Sequence, residues 1–317
     1  MEIYNEIEAA NKRIRSHILH TPLIRSRWLG SLADGEVYLK LENEQYTGSF
    51  KARGSLNKLM WLQERGQPFY PVTASTGNHG LGFARSLELL GLEGRVYLPE
   101  TAVNAKVEKI AAYGADIEYY GDDPYKTEMH AKKLAEKQDQ WTYISPYNDR
   151  QVIGGQGTIG IEIFEDIQGI DNLLATVGGG GLISGVASYF ARHLPGTQII
   201  GCQPENSPEM AVSVRAGRYQ EVTSSPTLSD GSAGGFERDS MTFALCRQLV
   251  DQFILVSEQE IEDAIRMMIE KHGKLVEGAA AVAVAGFLKK IELFRGKTTV
   301  IIICGGNISR DQLKTIL

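Results

Sequence analysis

Thr47-Gly48-Ser49-Phe50-Lys51-Ala52-Arg53-Gly54 sets a lysine directly behind an aromatic ring, among small residues and glycines. A solvated surface lysine needs no such surroundings. An amine that forms a Schiff base does, because it must shed its charge, and partial burial lowers a lysine pKa. Phe50 is placed to shield an imine from water. Taken alone, the stretch fits the start of an ordinary surface helix better, but three distant segments overturn that.

The first is Thr73-Ala74-Ser75-Thr76-Gly77-Asn78-His79-Gly80, which follows the strand-like Phe69-Tyr70-Pro71-Val72. A helical pattern follows it, with Phe83, Leu87 and Leu90 on one face. Hydroxyls, amides and backbone N–H groups thus gather at a strand-to-helix turn, a natural seat for a carboxylate. N-capping by Ser75, Thr76 or Asn78 accounts for one of these residues, not all. The second is Gly178-Gly179-Gly180-Gly181-Leu182-Ile183-Ser184-Gly185, after the apolar run Leu173-Leu174-Ala175-Thr176-Val177. Four glycines let successive amides converge on one anion at a helix mouth, so the segment reads as a phosphate cradle and not as a flexible linker. No Gly-Lys-Ser/Thr follows, so it is not a P-loop. The third is Cys304-Gly305-Gly306-Asn307, after Val300-Ile301-Ile302-Ile303, where a strand end delivers one polar side chain before the chain turns. The plain alternative is a buried structural thiol.

In this combination and order, the segments resemble the fold type II family of pyridoxal-phosphate enzymes, and within it the serine/threonine dehydratases (threonine ammonia-lyases) and their serine racemase relatives. The resemblance runs from His20-Thr21-Pro22-Leu23 to Asn307. It includes Gly155-Gln156-Gly157-Thr158-Ile159-Gly160 and Val276-Glu277-Gly278-Ala279-Ala280. It implies an α/β fold like that of the tryptophan synthase β chain, two α/β domains with mostly parallel sheets. Residues 1–68 and 148–317 would form a large cofactor-binding domain and residues 69–147 a small inserted one, with pyridoxal 5'-phosphate between them. Carried over residue by residue, Lys51 holds the cofactor as a Schiff base, Phe50 lies against its ring and Asn78 meets the ring hydroxyl. The amides of Gly178, Gly179, Gly180, Gly181 and Leu182 hold the phosphate. Glu277 lines the site and Cys304 faces the pyridine nitrogen. Ser75, Thr76, Gly77, Asn78 and His79 take the substrate carboxylate.

The reaction so implied is loss of water from a β-hydroxy amino acid such as threonine or serine, giving a 2-oxo acid and ammonia. Cys304, a neutral thiol with an ordinary pKa of about 8.5, would not keep a ring nitrogen protonated as an aspartate would. A weaker electron sink favours prompt loss of a β-substituent. In serine racemases, a serine at the position of Thr76 protonates the opposite face of the α-carbon. Thr76 keeps the hydroxyl, which makes it a second catalytic candidate and amino acid racemisation the alternative activity. The loop Leu228-Ser229-Asp230-Gly231-Ser232-Ala233-Gly234-Gly235-Phe236-Glu237-Arg238 departs from the commoner dehydratase pattern and resembles dehydratases proposed for hydroxyectoine breakdown as much as those for threonine. Arg238 meeting an acidic side chain would suit 3-hydroxyaspartate, although a solvated surface residue is the preferred reading. Relatives that bind a divalent cation carry an acidic residue where Gln203 stands, so no metal is expected, even with Glu205 and Glu209 following.

Gly155 to Gly160 satisfy the GxGxxG spacing of nicotinamide-dependent oxidoreductases, with Asp171 nearby, but the preceding Tyr147-Asn148-Asp149-Arg150-Gln151 is not strand-like. A helix passing close to a neighbour explains these glycines better. A non-catalytic binding protein on the same scaffold would be expected to lack Lys51. The net charge of -6 over 317 residues argues against a nucleic-acid partner. Three cysteines, Cys202, Cys246 and Cys304, form no disulfide framework, which fits a reducing, cytoplasmic setting. Neither a signal peptide nor a membrane span is read. The chain stops soon after Cys304, so the C-terminal regulatory domain of some threonine dehydratases is not expected. A homodimer is expected from the resemblance. Strands are anticipated at Val37–Glu42, Tyr70–Ala74, Arg95–Leu98, Asp116–Tyr120, Leu173–Val177, Gln198–Cys202, Phe253–Val256 and Thr298–Cys304, alternating with helices such as Asn104–Tyr113, Pro124–Gln138 and Ser257–His272.

Overall fold

In a computed structural model describing residues 2–317, ten strands form two separate sheets. They are β1 (Leu23–Arg25), β2 (Glu36–Leu41), β3 (Tyr70–Ala74), β4 (Arg95–Leu98), β5 (Asp116–Tyr119), β6 (Trp141–Tyr143), β7 (Asn172–Thr176), β8 (Gln198–Pro204), β9 (Gln252–Val256) and β10 (Thr298–Ile303). The larger sheet runs β1-β2-β10-β7-β8-β9, and all its pairings are parallel except β1 with β2. The smaller, all-parallel sheet runs β5-β4-β3-β6 and draws only on residues 70–143. All of β7 is buried, as is β10 from Thr299 onward, which is why both read as unbroken apolar runs instead of alternating ones.

The order of the large sheet positions the site. β7 and β10 are neighbours, but the chain leaves β7 toward β8 on one side, and β10 pairs with β2 on the other. Parallel sheets open a crevice at the carboxyl ends of strands where the winding reverses. The glycine run follows β7 there, and Cys304 follows β10. A helix apolar all round, Gly278–Lys289, lies buried against β7, β8, β9 and β10, so its N-terminus and Glu277 arrive at the same crevice.

A charged cluster fixes the helix Lys51–Glu64. Arg53 is fully buried and donates to both Glu42 oxygens at 2.7 Å and to Glu162 Oε1 and Oε2 at 2.6 and 2.9 Å. Lys40, also fully buried, reaches Glu162 at 2.7 Å and the Thr21 carbonyl at 2.7 Å. Burial works against the charge on Arg53, and Glu42 and Glu162 more than offset it, so its pKa rises. Charged groups out of water persist only when paired in this way.

The anticipated strands form, β3 and β4 at the anticipated bounds and the others with ends shifted by one or two residues. Two short strands, β1 and β6, had no signal, and the antiparallel β1 was not anticipated. Gly155, Gly157 and Gly160 lie inside one continuous helix, Arg150–Asp166. A Cβ on Gly155 would stand 2.7 Å from the Arg53 carbonyl, and one on Gly157 would stand 2.5 Å from Ile7. These glycines therefore serve close packing between helices, and the strand–turn–helix context of a dinucleotide site is absent. No helix among the described residues is long and apolar enough to cross a membrane.

Candidate active site

Three polypeptide segments meet through backbone hydrogen bonds before any side chain is considered. Phe50 N–H donates to the Cys304 carbonyl at 3.2 Å, Gly306 N–H to Gly48 at 2.9 Å, and Glu277 N–H to Gly305 at 3.1 Å. Ser49 and Gly305 form an antiparallel bridge. Thr47 enters this junction at φ 63°, a left-handed conformation costly for a β-branched residue, on the order of 1–3 kcal/mol. Its Oγ1 and the Oγ of the fully buried Ser49 have no hydrogen-bond partner.

Lys51 begins its helix with Phe50 as N-cap, and its Nζ lies 5.1 Å from the Phe50 ring centroid. The amine donates to the Pro146 carbonyl at 2.8 Å. Burial lowers its pKa from 10.5 to about 8, against the opposing pull of Cys304 and Glu277. Cys304 is buried and its thiol is pushed well above the usual range, so it remains neutral.

The glycine run forms a walled cradle. Gly180 takes φ 85° as N-cap of the helix Gly181–His193, whose first N–H groups have no acceptor within the helix. A Cβ on Gly178 would stand 2.9 Å from Ser232, and one on Gly179 would stand 2.4 Å from the Tyr147 ring. Tyr147 is held by its hydroxyl, which accepts from Glu237 N–H at 2.9 Å. No side chain can enter here, and the unpaired N–H groups at the start of the helix are donors suited to a small anion. Among the described residues, no group of three or more His, Cys, Asp or Glu could hold a metal ion. Gln203 spends its amide locally, accepting from Ala211 N–H at 2.7 Å.

At the end of β3, Ser75 Oγ accepts from Gly77 N–H at 3.2 Å, and the helix Asn78–Leu90 begins. The opening amides at Asn78, His79 and Gly80 are available to an anion. Thr76 is half-buried beside them. The His79 ring turns inward instead: its Nε2 lies 2.9 Å from the Ile144 carbonyl, and burial lowers its pKa to about 3. Its backbone N–H belongs to the first turn of the helix, where N–H groups have no acceptor within the helix. Asn78 Nδ2 donates to Glu277 Oε1 at 2.7 Å. Burial raises the Glu277 pKa, opposed by that hydrogen bond. Asn307, beyond the candidate residues, donates from its backbone to Glu277 Oε2 at 3.0 Å. Its place after Gly305-Gly306 was the one sequence signal available. Pro146 and Tyr147 were missed outright, since a carbonyl acceptor and an aromatic wall carry no motif.

The loop after Leu228 closes one side. Asp230 pairs with Lys106 at 3.1 Å and Glu237 with Lys132 at 2.6 Å, tethering it to helices of the smaller sheet. Arg238 is exposed over the Tyr219 ring, 5.4 Å from its centroid, as preferred for a surface residue.

A family described as pyridoxal-phosphate dependent enzyme matches residues 14–305. The L-threonine ammonia-lyase of Thermotoga maritima is 39% identical over 315 residues, covering 98% of this chain and 77% of that protein. The processed form of threonine deaminase isoform 2 from Solanum lycopersicum superposes with a TM-score of 0.93 at 32% identity, covering 99% of this chain and 92% of that one. Serine racemase from Dictyostelium discoideum superposes with a TM-score of 0.89 at 31% identity, covering 96% and 98%.

Proposed function

Because the chain belongs to the pyridoxal-phosphate dependent enzyme family, we propose that it removes water from a β-hydroxy amino acid such as threonine or serine, yielding a 2-oxo acid and ammonia. The observation that carries this is the Lys51 amine, its pKa drawn down to about 8, bonded to the carbonyl of Pro146, whose neighbour Tyr147 walls the glycine run. Bound pyridoxal phosphate supplies an electron sink for the substrate's α-carbon. Lys51 Nζ would attach the cofactor, and as a free amine it would take the α-proton. Its lowered pKa gives it a usable free-base fraction near neutrality. The amides at Asn78–Gly80 hold the substrate carboxylate. Cys304, neutral, brings no counter-charge to the ring. The amides from Gly178 to Leu182 take the phosphate. Residues 69–147, which contain the whole smaller sheet, act as a small domain over the crevice. A cytoplasmic homodimer belongs to the same proposal and rests on the resemblance.

The test is 2-oxo acid release across stereoisomers of threonine, serine and 3-hydroxyaspartate. Turnover is expected with threonine or serine, and none with any of them would overturn the proposal. Racemisation is the second reading, favoured by the half-buried Thr76 hydroxyl at the carboxylate turn. Thr76→Ala should suppress α-proton exchange and leave elimination largely intact.

Gly179→Ala tests the cradle. Its methyl would stand 2.4 Å from the Tyr147 ring. Overpacking of this kind should weaken pyridoxal phosphate binding roughly ten- to a hundredfold. Adding Tyr147→Ala should recover most of it, as read by absorbance titration. Unchanged affinity in the single variant would place the phosphate elsewhere.

A further inference from the structure

Asn307 closes a ring of hydrogen bonds drawn from three distant segments. Its Nδ2 donates to Asn78 Oδ1 at 2.7 Å, Asn78 Nδ2 donates to Glu277 Oε1 at 2.7 Å, and Glu277 Oε2 accepts from Asn307 N–H at 3.0 Å. The second N–H of Asn307 Nδ2 reaches the Thr47 carbonyl at 2.7 Å. Gly48 makes room for this: a Cβ there would stand 3.1 Å from that amide nitrogen.

The polarity of the ring is forced. The Thr47 carbonyl only accepts, so Asn307 must turn its amide nitrogen toward it, and that nitrogen faces Asn78 as well. Asn307 Nδ2 only donates, so Asn78 must turn its oxygen toward Asn307. One N–H of Asn78 is left over, and its orientation is fixed. We propose that Asn307 is a positioning residue that locks the amide of Asn78 as a donor toward the cofactor's ring oxygen, and that it separately holds the left-handed Thr47 turn ahead of Lys51. This rests on Asn78 meeting that ring oxygen. The two duties are separable, because Thr47→Gly relieves the turn without touching the amide ring.

The measurement is the visible to near-ultraviolet absorbance ratio of enzyme-bound pyridoxal phosphate, recorded without substrate, together with the thermal midpoint of the cofactor-free protein and the kcat and KM of the holoenzyme. A donor to the ring oxygen favours its anionic form and hence the visible band. Asn307→Ala should lower the ratio roughly two- to tenfold. It should also lower the midpoint, and reduce kcat roughly ten- to a hundredfold with little change in KM. Adding Thr47→Gly should restore the midpoint and leave the ratio and kcat depressed. Should Asn307→Ala not fold, Asn307→Leu, close in size and without side-chain donors or charge, gives the same readings. Restoration of all three quantities by Thr47→Gly would overturn the proposal, leaving Asn307 a turn residue only. So would an unchanged ratio in Asn307→Ala beside a lowered one in Asn78→Ala. An unchanged ratio in Asn78→Ala would instead remove the premise about Asn78, whatever the substrate panel gives.

Discussion

Lys51→Ala is expected to cut turnover by at least roughly 10³-fold while the protein stays folded, since the cofactor attachment and the α-proton base are lost together. Borohydride reduction of the wild type should fix pyridoxal phosphate to the peptide containing Phe50-Lys51-Ala52, and label on another lysine would refute the assignment. The lowered pKa adds a test that needs no substrate. An unfolded lysine near 10.5 binds its proton more readily than folded Lys51 at about 8. The charged amine therefore destabilises the cofactor-free fold at neutral pH, and that penalty fades as pH rises from 8 toward 10.5. Lys51→Met should stabilise the cofactor-free protein by roughly 3 kcal/mol at pH 7 and progressively less above pH 8. Urea unfolding at a series of pH values measures it, and a difference independent of pH would mean the amine is solvated.

Arg53→Ala is expected to be the most destabilising single change. It leaves Glu42, fully buried, without its cation, and Glu162 with Lys40 alone. Removing one partner of a buried pair costs about 3–5 kcal/mol, mostly from the stranded charge. Arg53→Ala combined with Glu42→Gln should recover part of that. The wild-type cluster should weaken in acid: Glu162 is held below the usual carboxylate range because Arg53 and Lys40 outweigh its burial. Its contribution is present above the unfolded pKa and lost as pH falls through the folded one. A loss below about 1 kcal/mol in Arg53→Ala, by urea midpoint, would show that water reaches the cluster.

The parts legible in sequence were those whose chemistry is local. Glycine, hydroxyl and amide runs at the ends of apolar strands announced the loops after β3, β7 and β10, because such residues serve little purpose inside regular elements. Trp141–Tyr143 gave no signal, since three residues without an apolar run cannot be told from a turn. Arg53 stood in the opening motif, yet Glu42 and Glu162 lie 11 and 109 residues away from it and only the fold brings them together. His79 read as a ligand candidate by type, and its environment turned the ring toward Ile144. Asn307 escaped because its partners, Asn78 Oδ1 and the Thr47 carbonyl, are oriented by tertiary structure alone.

The place of β10 has a bearing on how the chain comes off the ribosome. β10 is synthesised after the other nine strands, yet it sits between β2 and β7, paired with both. Until it emerges, β2 and β7 each present an open, apolar edge, the kind of surface that attracts stray strands and chaperones. The smaller sheet, complete by residue 143, can close early, but the larger one stays split into two unjoined pieces until residues 298–303 arrive. A nascent chain stalled short of that point would hold a finished small sheet beside an unfinished large one, and a premature stop codon anywhere before β10 should give aggregates and not a smaller, weaker enzyme.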